Sequence, residues 1–175
     1  MLNRRITLLL TTALLLAPRL GTAADPTVKI IDNVELSGTG VTSGSMFQEG
    51  ADLAAKEINA AGGILNRKID LSHQDNQSQA QIAKAVATKA ADEDPYVTIG
   101  PIFSGDVNVA MAVNEDAGIP MIMGGEAAML TQQGAKFLFR TSFSQANAMP
   151  KVASYMQKQG MKSVSIVWIA NDFGK

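Results

Sequence analysis

The chain has 175 residues, of which 46% are apolar and 5% aromatic, with 15 lysines and arginines against 16 aspartates and glutamates. This is an ordinary globular composition of about one domain, which excludes intrinsic disorder and collagen. A net charge of -1 and the few aromatic residues argue against a nucleic-acid partner. Because the chain has no cysteine, it can form neither disulfides, nor thiolate metal sites, nor a thiol nucleophile.

The N-terminus predicts a secretory signal peptide over residues 1–24. Arg4 and Arg5 precede an apolar run over residues 6–17, and small residues follow at 21–24. The run is shorter than the roughly 20 residues that cross a hydrocarbon core, so we expect cleavage rather than a retained anchor. The paired arginines leave twin-arginine export open beside the Sec route. The mature protein is expected to be free in solution outside the cytoplasm.

Short apolar strands alternate with helical segments from Val28 onward, which predicts an α/β fold with a doubly wound parallel sheet. The predicted strands are Val28 to Glu35, Lys68 to Gln74, Tyr96 to Gly100, Met121 to Met123, Phe137 to Thr141 and Ser163 to Ile169. Right-handed crossovers place the carboxyl ends of parallel strands along one edge, where open α/β sheets bind ligands. We call this edge the carboxyl edge; its loops are residues 36–44, 75–78, 101–105, 124–128, 142–144 and 170–174.

Four helices are predicted between these strands from apolar residues at spacings of three and four. The first ends at Gly62-Gly63, and the second follows Ser78 as N-cap. The third runs from about Asp106 to Ala117 and is stopped by Gly118, and the fourth lies between Ser144 and Gly160. The residues expected to face the sheet are Phe47, Ala51, Ala54, Ala55 and Ile58; Ile82, Val86 and Ala90; Val109, Ala110, Val113 and Ala117; and Met149, Val152, Ala153 and Met156.

Two loops of the carboxyl edge favour an anion. Residues 36–44 are rich in glycine and hydroxyls and lead into a helix N-terminus, although a flexible turn explains the same composition. Ser104-Gly105 offers a hydroxyl and two successive N–H groups, so a carboxylate could bind there without a basic side chain. A plain N-cap serine is the alternative. Asp106 would repel a bound anion unless it points away.

The loop after the fourth strand carries Gly124-Gly125 and one acid, Glu126. The glycines permit close backbone approach, and Glu126 could pair with a ligand ammonium. A solvated loop glutamate is the alternative.

His73 is the only histidine, and its position on the strand predicts a hydrogen-bonded, partly buried residue rather than a catalyst. With one histidine and no cysteine, the sequence offers no further residue pattern that would support a zinc site or a serine-histidine-acid triad. We therefore predict no metal, no cofactor, no catalytic residue and no enzymatic activity.

Several segments, in order along the chain, match a known pattern. The most specific is Glu57-Ile58-Asn59-Ala60-Ala61-Gly62-Gly63-Ile64, and the others are residues 36–38 with Gly44, 99–101 with 104–105, 117–120, 130–131, 139–141 and 171–175. With these segments the chain resembles the type I periplasmic solute-binding proteins of ABC transporters, in the group of Leu/Ile/Val-binding proteins.

The resemblance implies two α/β lobes that close on a ligand in the cleft between them, and a closed form that docks on a membrane permease. We therefore expect the periplasmic solute-binding component of an ABC importer, with a small amino acid or related carboxylate as ligand. By the same resemblance, Ser104, with Gly105 beside it, falls on the serine that takes the ligand carboxylate. The remaining implied ligand-binding residues are Ser43, Gly125, Glu126, Ala127 and Phe173.

This chain departs from the family pattern in two ways that leave the ligand open. The loop after the fourth strand is one residue shorter, with Glu126 or Ala127 in place of the usual hydroxyl, and Ser43 replaces an aromatic residue. A branched-chain amino acid, another small amino acid, an amide or a carboxylate all remain possible.

Family chains are also longer, so we expect residues 25–141 to form an incomplete first lobe and residues 142–175 the start of the second, in a fragment or truncated product. A receptor ligand-binding domain of the same fold and a secreted α/β enzyme are the alternative functions.

Overall fold

The computed structural model describes residues 27–174, and the signal peptide predicted over residues 1–24 lies outside them. Five parallel strands form one sheet in this part of the chain, in the order β2-β1-β3-β4-β5. They are β1 (Val28–Val34), β2 (Ile69–Asp75), β3 (Val97–Ile99), β4 (Met121–Met123) and β5 (Leu138–Arg140). The strand order changes direction at β1 and β3, which confirms the predicted doubly wound sheet.

The helices are α1 (Val41–Ala60), α2 (Ala80–Asp92), α3 (Ser104–Ala117) and α4 (Gln145–Lys158), with short 3-10 turns at Gly38–Gly40 and Ala128–Thr131. Helices α2 and α3 pack against each other, whereas α1 packs on β1 and β2. Because the crossovers are right-handed, α1 lies on the opposite face of the sheet from α2 and α3. None of the helices within residues 27–174 combines the length and the apolar character that a membrane span requires.

The hydrophobic core lies between the α2–α3 pair and the middle of the sheet. Its buried members are Ala87, Val107, Ala110, Met111, Met121, Met123, Ala127 and Leu130. The last two belong to the loop after β4, so this part of the carboxyl edge is fixed by the same packing that stabilises the sheet.

Two helices begin at other residues than predicted. The N-cap of α2 is Gln79, because Ser78 has a φ of 57° and its hydroxyl bonds to the loop after β1 instead. The N-cap of α3 is Phe103, which makes Ser104 the first helical residue. The interpretation of Ser104 as an N-cap serine is therefore wrong.

The buried faces of α1 and α3 are rotated from the predicted stripes, since Ala54, Ile58 and Ala117 are exposed. In α1 the buried residue is Gly44, whose backbone packs closely against the carbonyl of Glu35. In α3, Asn114 is buried because its side-chain amide donates to Thr98 Oγ1 at 2.7 Å. Polar and small residues that bond to the sheet thus displace part of the apolar stripe.

The last part of the described chain differs from the prediction. Residues 163–169 form no strand, and the α4 residues Met149, Val152 and Ala153 are exposed, with Met156 half-buried. A strand forms only beside a partner, and within residues 27–174 none of the five strands pairs with this segment. The predicted start of α4 is confirmed, because Ser144 Oγ accepts a hydrogen bond from the Ala146 N–H at 3.3 Å.

Candidate functional site

Side chains from β2 hold the loop after β1. Asp75 accepts hydrogen bonds from the N–H groups of Leu36 and Ser37 and, at 2.7 Å, from the Ser37 hydroxyl. Burial opposes ionisation of Asp75, but these bonds outweigh it and lower its pKa. Ser78 Oγ accepts from the Gly40 N–H at 2.9 Å and donates to the Ser37 carbonyl at 2.6 Å. The loop that leads into α1 is therefore anchored rather than a free turn.

Glu35, the residue after β1, holds the loop after β3. Its Oε1 accepts from the Phe103 N–H at 2.9 Å, and both its oxygens lie 3.1 to 3.2 Å from the Ile102 nitrogen. The side chain is fully buried. An acid from one strand thus fixes the two residues that immediately precede Ser104.

Asp106, whose repulsion of a bound anion is foreseen from the sequence, is buried. It is only 4% exposed in the first turn of α3 and lies next to Glu35. Burial, the charge of Glu35 and a hydrogen bond with Glu35 raise the pKa of Asp106 to about 7. The carboxyl can therefore carry a proton near neutral pH and need not oppose an anion at the N-terminus of α3.

Ser104 joins the loop after β3 to the loop after β4. Its Oγ accepts a hydrogen bond from the Ala127 N–H at 3.2 Å, which leaves its O–H as a donor. The side chain of the N-cap residue Phe103 makes no capping hydrogen bond, and the N–H groups of the first helical residues, including that of Gly105, have no intrahelical acceptor because of helix geometry. Ser104, Gly125 and Ala127 are buried, whereas Gly105 is half-buried.

Residues from β5 and the segment after it hold the loop that contains Gly125 and Glu126. Arg140 Nη2 donates to the Ala127 carbonyl at 2.6 Å, and the Ser142 hydroxyl donates to the Gly125 carbonyl at 3.3 Å. Glu126 is half-buried; burial raises its pKa, and the nearby Arg140 charge partly offsets that effect. The loop therefore presents the Glu126 carboxyl group, while the carbonyls of the neighbouring Gly125 and Ala127 already accept hydrogen bonds from Ser142 and Arg140.

Phe173 and Ser43 are the two candidate residues outside the loops after β3 and β4. The Phe173 carbonyl accepts from the Gln145 side chain at 3.0 Å, and the Gln145 N–H donates to the Glu126 carbonyl at 3.0 Å, so Phe173 is linked to Glu126. Ser43 is exposed in the first turn of α1.

His73 belongs to a separate cluster on the side of β2. Its Nδ1 lies 2.7 Å from Asp32 Oδ2 and its Nε2 lies 2.9 Å from Asp52 Oδ1, so the predicted hydrogen-bonded, partly buried histidine is confirmed. Burial opposes the protonation of His73, but the bonds to Asp52 and Asp32 outweigh it and raise its pKa. Burial raises the pKa of Asp32 to about 6 in spite of His73.

Sequence reasoning missed the residues that hold the edge together, namely Glu35, Asp75, Arg140 and Ser142. Glu35 and Asp75 had a detectable signal, because each acid stands at the carboxyl end of a strand. Nothing in the sequence indicates that Arg140 would reach the Ala127 carbonyl. Within residues 27–174, no three acidic or histidine side chains are grouped to hold a metal ion.

The comparisons with known proteins agree with this architecture. A family model described as a periplasmic binding protein matches residues 27–175. The Leu/Ile/Val-binding protein of Escherichia coli K12 is 28% identical over 154 residues, which cover 83% of this chain and 42% of that protein. The leucine-specific-binding protein of Salmonella typhimurium is 33% identical over 142 residues, which cover 81% of this chain and 38% of that protein.

Among solved structures, the branched-chain amino acid transporter substrate-binding protein LivJ of Streptococcus pneumoniae, in complex with isoleucine, is 37% identical with a TM-score of 0.65. That match covers 67% of this chain and 34% of the other. The chain thus spans about two fifths of the length of the curated relatives it matches. It belongs to the type I periplasmic binding proteins and corresponds to the N-terminal portion of the Leu/Ile/Val-binding group.

Proposed function

We propose that this protein is the extracytoplasmic solute-binding component of an ABC importer and that it binds a small amino acid or related carboxylate at the carboxyl edge. The observation that carries the proposal is the bond between Ser104 and Ala127, which brings the uncapped start of α3 beside the loop of Glu126. Two groups of opposite character, helix N–H donors and a carboxyl group, then lie next to each other.

The ligand carboxylate is assigned to the start of α3. The O–H of Ser104 and the N–H groups of the first turn are donors, and the positive end of the helix dipole favours an anion. Because Asp106 is buried and can be protonated, it does not oppose this charge. An isoleucine complex of a 37% identical relative supports an amino acid as the ligand class.

The ligand ammonium is assigned to Glu126, which is half-buried beside that helix start. Arg140 lies near Glu126 and donates to the Ala127 carbonyl, so the local charge is close to balanced. A balanced site suits a zwitterion better than a free anion. Phe173, linked to Glu126 through Gln145, would cover the ligand from the side of residues 170–174.

The remaining parts of the proposal follow from family membership. The family consists of solute-binding proteins, so a binding role without catalysis is proposed here. Proteins of this family deliver their ligand to a permease, which is the proposed membrane partner. The predicted signal peptide supports a periplasmic location.

The test is calorimetric titration of the full chain with a panel of L-amino acids, for the parent and for Ser104→Ala. Losing a hydrogen bond to a charged group should cost about 1.5–3 kcal/mol, or roughly ten- to a hundredfold in Kd. Ser163→Ala is the matched control, because Ser163 is exposed and far from the edge in sequence. An unchanged Kd in Ser104→Ala, or binding by none of the amino acids, would contradict the proposal.

A second experiment tests the role of Glu126 by comparing two ligands. L-isoleucine and its deaminated analogue 3-methylpentanoate share the carboxylate and the side chain but differ in the ammonium group. Glu126→Gln should weaken binding of isoleucine and leave binding of the analogue nearly unchanged. Equal losses for both ligands would remove Glu126 from the ammonium site.

A further inference from the structure

We propose that Glu35 and Asp106 are positioning residues that share one proton behind the start of α3, and that this proton sets both the geometry of residues 102–104 and the affinity for a carboxylate. The ligand part of this inference rests on the proposed function. The part that concerns the geometry of the loop does not.

The contacts of Glu35 give it control over the loop. Its carboxyl accepts the N–H groups of Ile102 and Phe103, and these are the last two residues before Ser104. Phe103 also caps α3 by its backbone. Any movement of the Glu35 carboxyl therefore moves the residue that carries the proposed ligand hydroxyl.

The position of Asp106 makes a shared proton necessary. Asp106 is buried next to Glu35, and its Oδ2 has no hydrogen-bond partner among the described residues. Glu35 and Asp106 are 0% and 4% exposed, and two such buried neighbouring carboxylates cannot both be ionised at low cost, since like charges in a poorly solvated site disfavour each other. Glu35 already accepts backbone N–H bonds as a carboxylate would, so the proton resides on Asp106. The raised pKa of Asp106, about 7, agrees with this assignment.

Other titrating groups surround the pair and must be separated from it. Asp32 lies on β1, three residues before Glu35, and is bonded to His73 from β2, which is bonded in turn to Asp52 from α1. Asp75 borders the loop after β1, and Glu126 with Arg140 borders the loop after β4. Of these, His73 has an ordinary pKa near neutrality and Asp32 has a pKa raised to about 6, so both can compete for a transition at pH 6 to 8.

Deprotonation has two effects on the site. Repulsion between the carboxylates pushes Glu35 away and distorts the loop of Ile102 and Phe103. A second negative charge also appears behind the helix N-terminus that binds the ligand carboxylate. Both effects weaken binding as pH rises, and by linkage a bound carboxylate must raise the pKa of Asp106, so that binding takes up a proton.

The first experiment needs no ligand. Amide chemical shifts of Ile102, Phe103 and Ser104 are followed by NMR from pH 5 to 9 in the full chain. We expect the three amides to titrate together with a midpoint near 7 and to lose that transition in Asp106→Asn. The asparagine keeps the shape and a donor toward Glu35, so the shifts should stay at their low-pH values.

Two further variants separate the pair from its neighbours. His73→Gln removes the competing imidazole and should leave the midpoint unchanged. Glu35→Gln should move the midpoint to lower pH, because it removes the charge of Glu35 that raises the pKa of Asp106 and leaves only the effect of burial. A transition that survives Asp106→Asn, or one that disappears in His73→Gln, would overturn the inference, as would the absence of any transition in the parent.

The second experiment uses L-leucine as the probe. Calorimetry in buffers of different ionisation enthalpy should show proton uptake on binding, with a Kd about fivefold higher at pH 8 than at pH 6, as expected when binding raises the pKa of Asp106 by about one unit. Asp106→Asn should bind with a Kd that is independent of pH over this range. Leucine binding without proton uptake overturns the inference, whereas the absence of leucine binding at every pH counts against the proposed ligand and leaves the NMR result decisive for the pair.

Discussion

Residues 28–141 and residues 142–174 contrast sharply, although both were predicted as β and α elements of one architecture. The first region buries apolar residues between a sheet and its helices, and the loops at its carboxyl edge are bonded to one another. In the second region α4 has no buried residue, and Val167 is 98% exposed within a segment rich in β-branched residues.

The difference shows that a segment can have the apolar pattern and the local signals of a helix or strand without being packed against the rest of the fold. The second region has a satisfied N-cap at Ser144, a left-handed stop at Gly160 and an amphipathic helix between them. What it lacks among the described residues is a neighbouring strand or helix on which to bury its apolar side chains. Local signals are enough to form α4, but a strand over residues 163–169 needs a hydrogen-bonding partner.

The sharpest test of this contrast compares two methionines. Met123 is 0% exposed in the core and Met149 is 54% exposed on α4. Met123→Ala should lower the free energy of unfolding by about 2–5 kcal/mol, because it removes buried contacts and leaves a cavity. Met149→Ala should change it by less than about 0.5 kcal/mol, as expected for a surface substitution.

Urea denaturation followed by far-ultraviolet circular dichroism measures both variants. Equal losses would mean that α4 is packed in solution and that the contrast between the two regions is wrong.

The sequence was sufficient to predict the packed region of the fold. Five strands appear within one or two residues of their predicted bounds, since glycine, proline and charged residues interrupt the apolar runs at the right places. The sixth strand was wrong, because an apolar β-branched run carries no information about whether a partner strand is present. The start of α2 was also wrong, because the Ser78 hydroxyl bonds to Ser37 and Gly40, which are distant in sequence.

The location of the candidate site could be predicted from the sequence, but the hydrogen bonds that connect its loops could not. Strand direction alone places Ser104 and Glu126 at the same edge, and the structure joins their loops through Ala127. The burial of Asp106 beside Glu35 could not be predicted, because Glu35 lies 71 positions earlier in the sequence. Such long-range polar contacts leave no periodic signal in the sequence.

A second test uses pH, because Asp32, His73 and Asp106 all lie in the packed region. Each has a raised pKa in the folded chain, with values of about 6 for Asp32 and about 7 for Asp106. The folded state therefore holds these protons more tightly than the unfolded state, and the stabilisation is lost as pH rises from about 4 through these values. We expect the free energy of unfolding to fall by roughly 2–4 kcal/mol between pH 5 and pH 8.

Asp75 provides the opposite sign. Because the pKa of Asp75 is lowered in the folded chain, its ionisation stabilises the fold at any pH above the ordinary pKa of an aspartate, and this stabilisation is lost only in stronger acid. The free energy of unfolding is therefore expected to be largest in mild acid. Urea midpoints at several pH values check this, with Asp106→Asn as the variant that should flatten the decline. Greater stability at pH 8 than at pH 5 would contradict the assigned protonation states.

A third test uses two glycines of α1, one packed and one open. A Cβ at Gly44 would collide with the backbone carbonyl of Glu35, whereas nothing lies near a Cβ at Gly50. Gly44→Ala should destabilise the protein by about 1–3 kcal/mol through overpacking. Gly50→Ala should stabilise it by about 0.5–1 kcal/mol, because alanine loses less conformational entropy in a helix. Thermal unfolding distinguishes the two, and a similar response of both variants would show that α1 does not pack on β1 as described.

The smallest expected effect tests the second region by itself. Ser144→Ala removes the hydroxyl that accepts the Ala146 N–H, which should cost about 0.5–2 kcal/mol of helix stability. Because α4 has no buried residue, this loss should appear as local fraying of α4 and should leave the unfolding midpoint of the packed region unchanged. Amide hydrogen exchange reports both at once: faster exchange at the start of α4, with protection in β1 and β3 unaltered. If protection falls in β1 and β3 as well, the two regions unfold as one cooperative unit, and the exposed face of α4 must then be covered in solution.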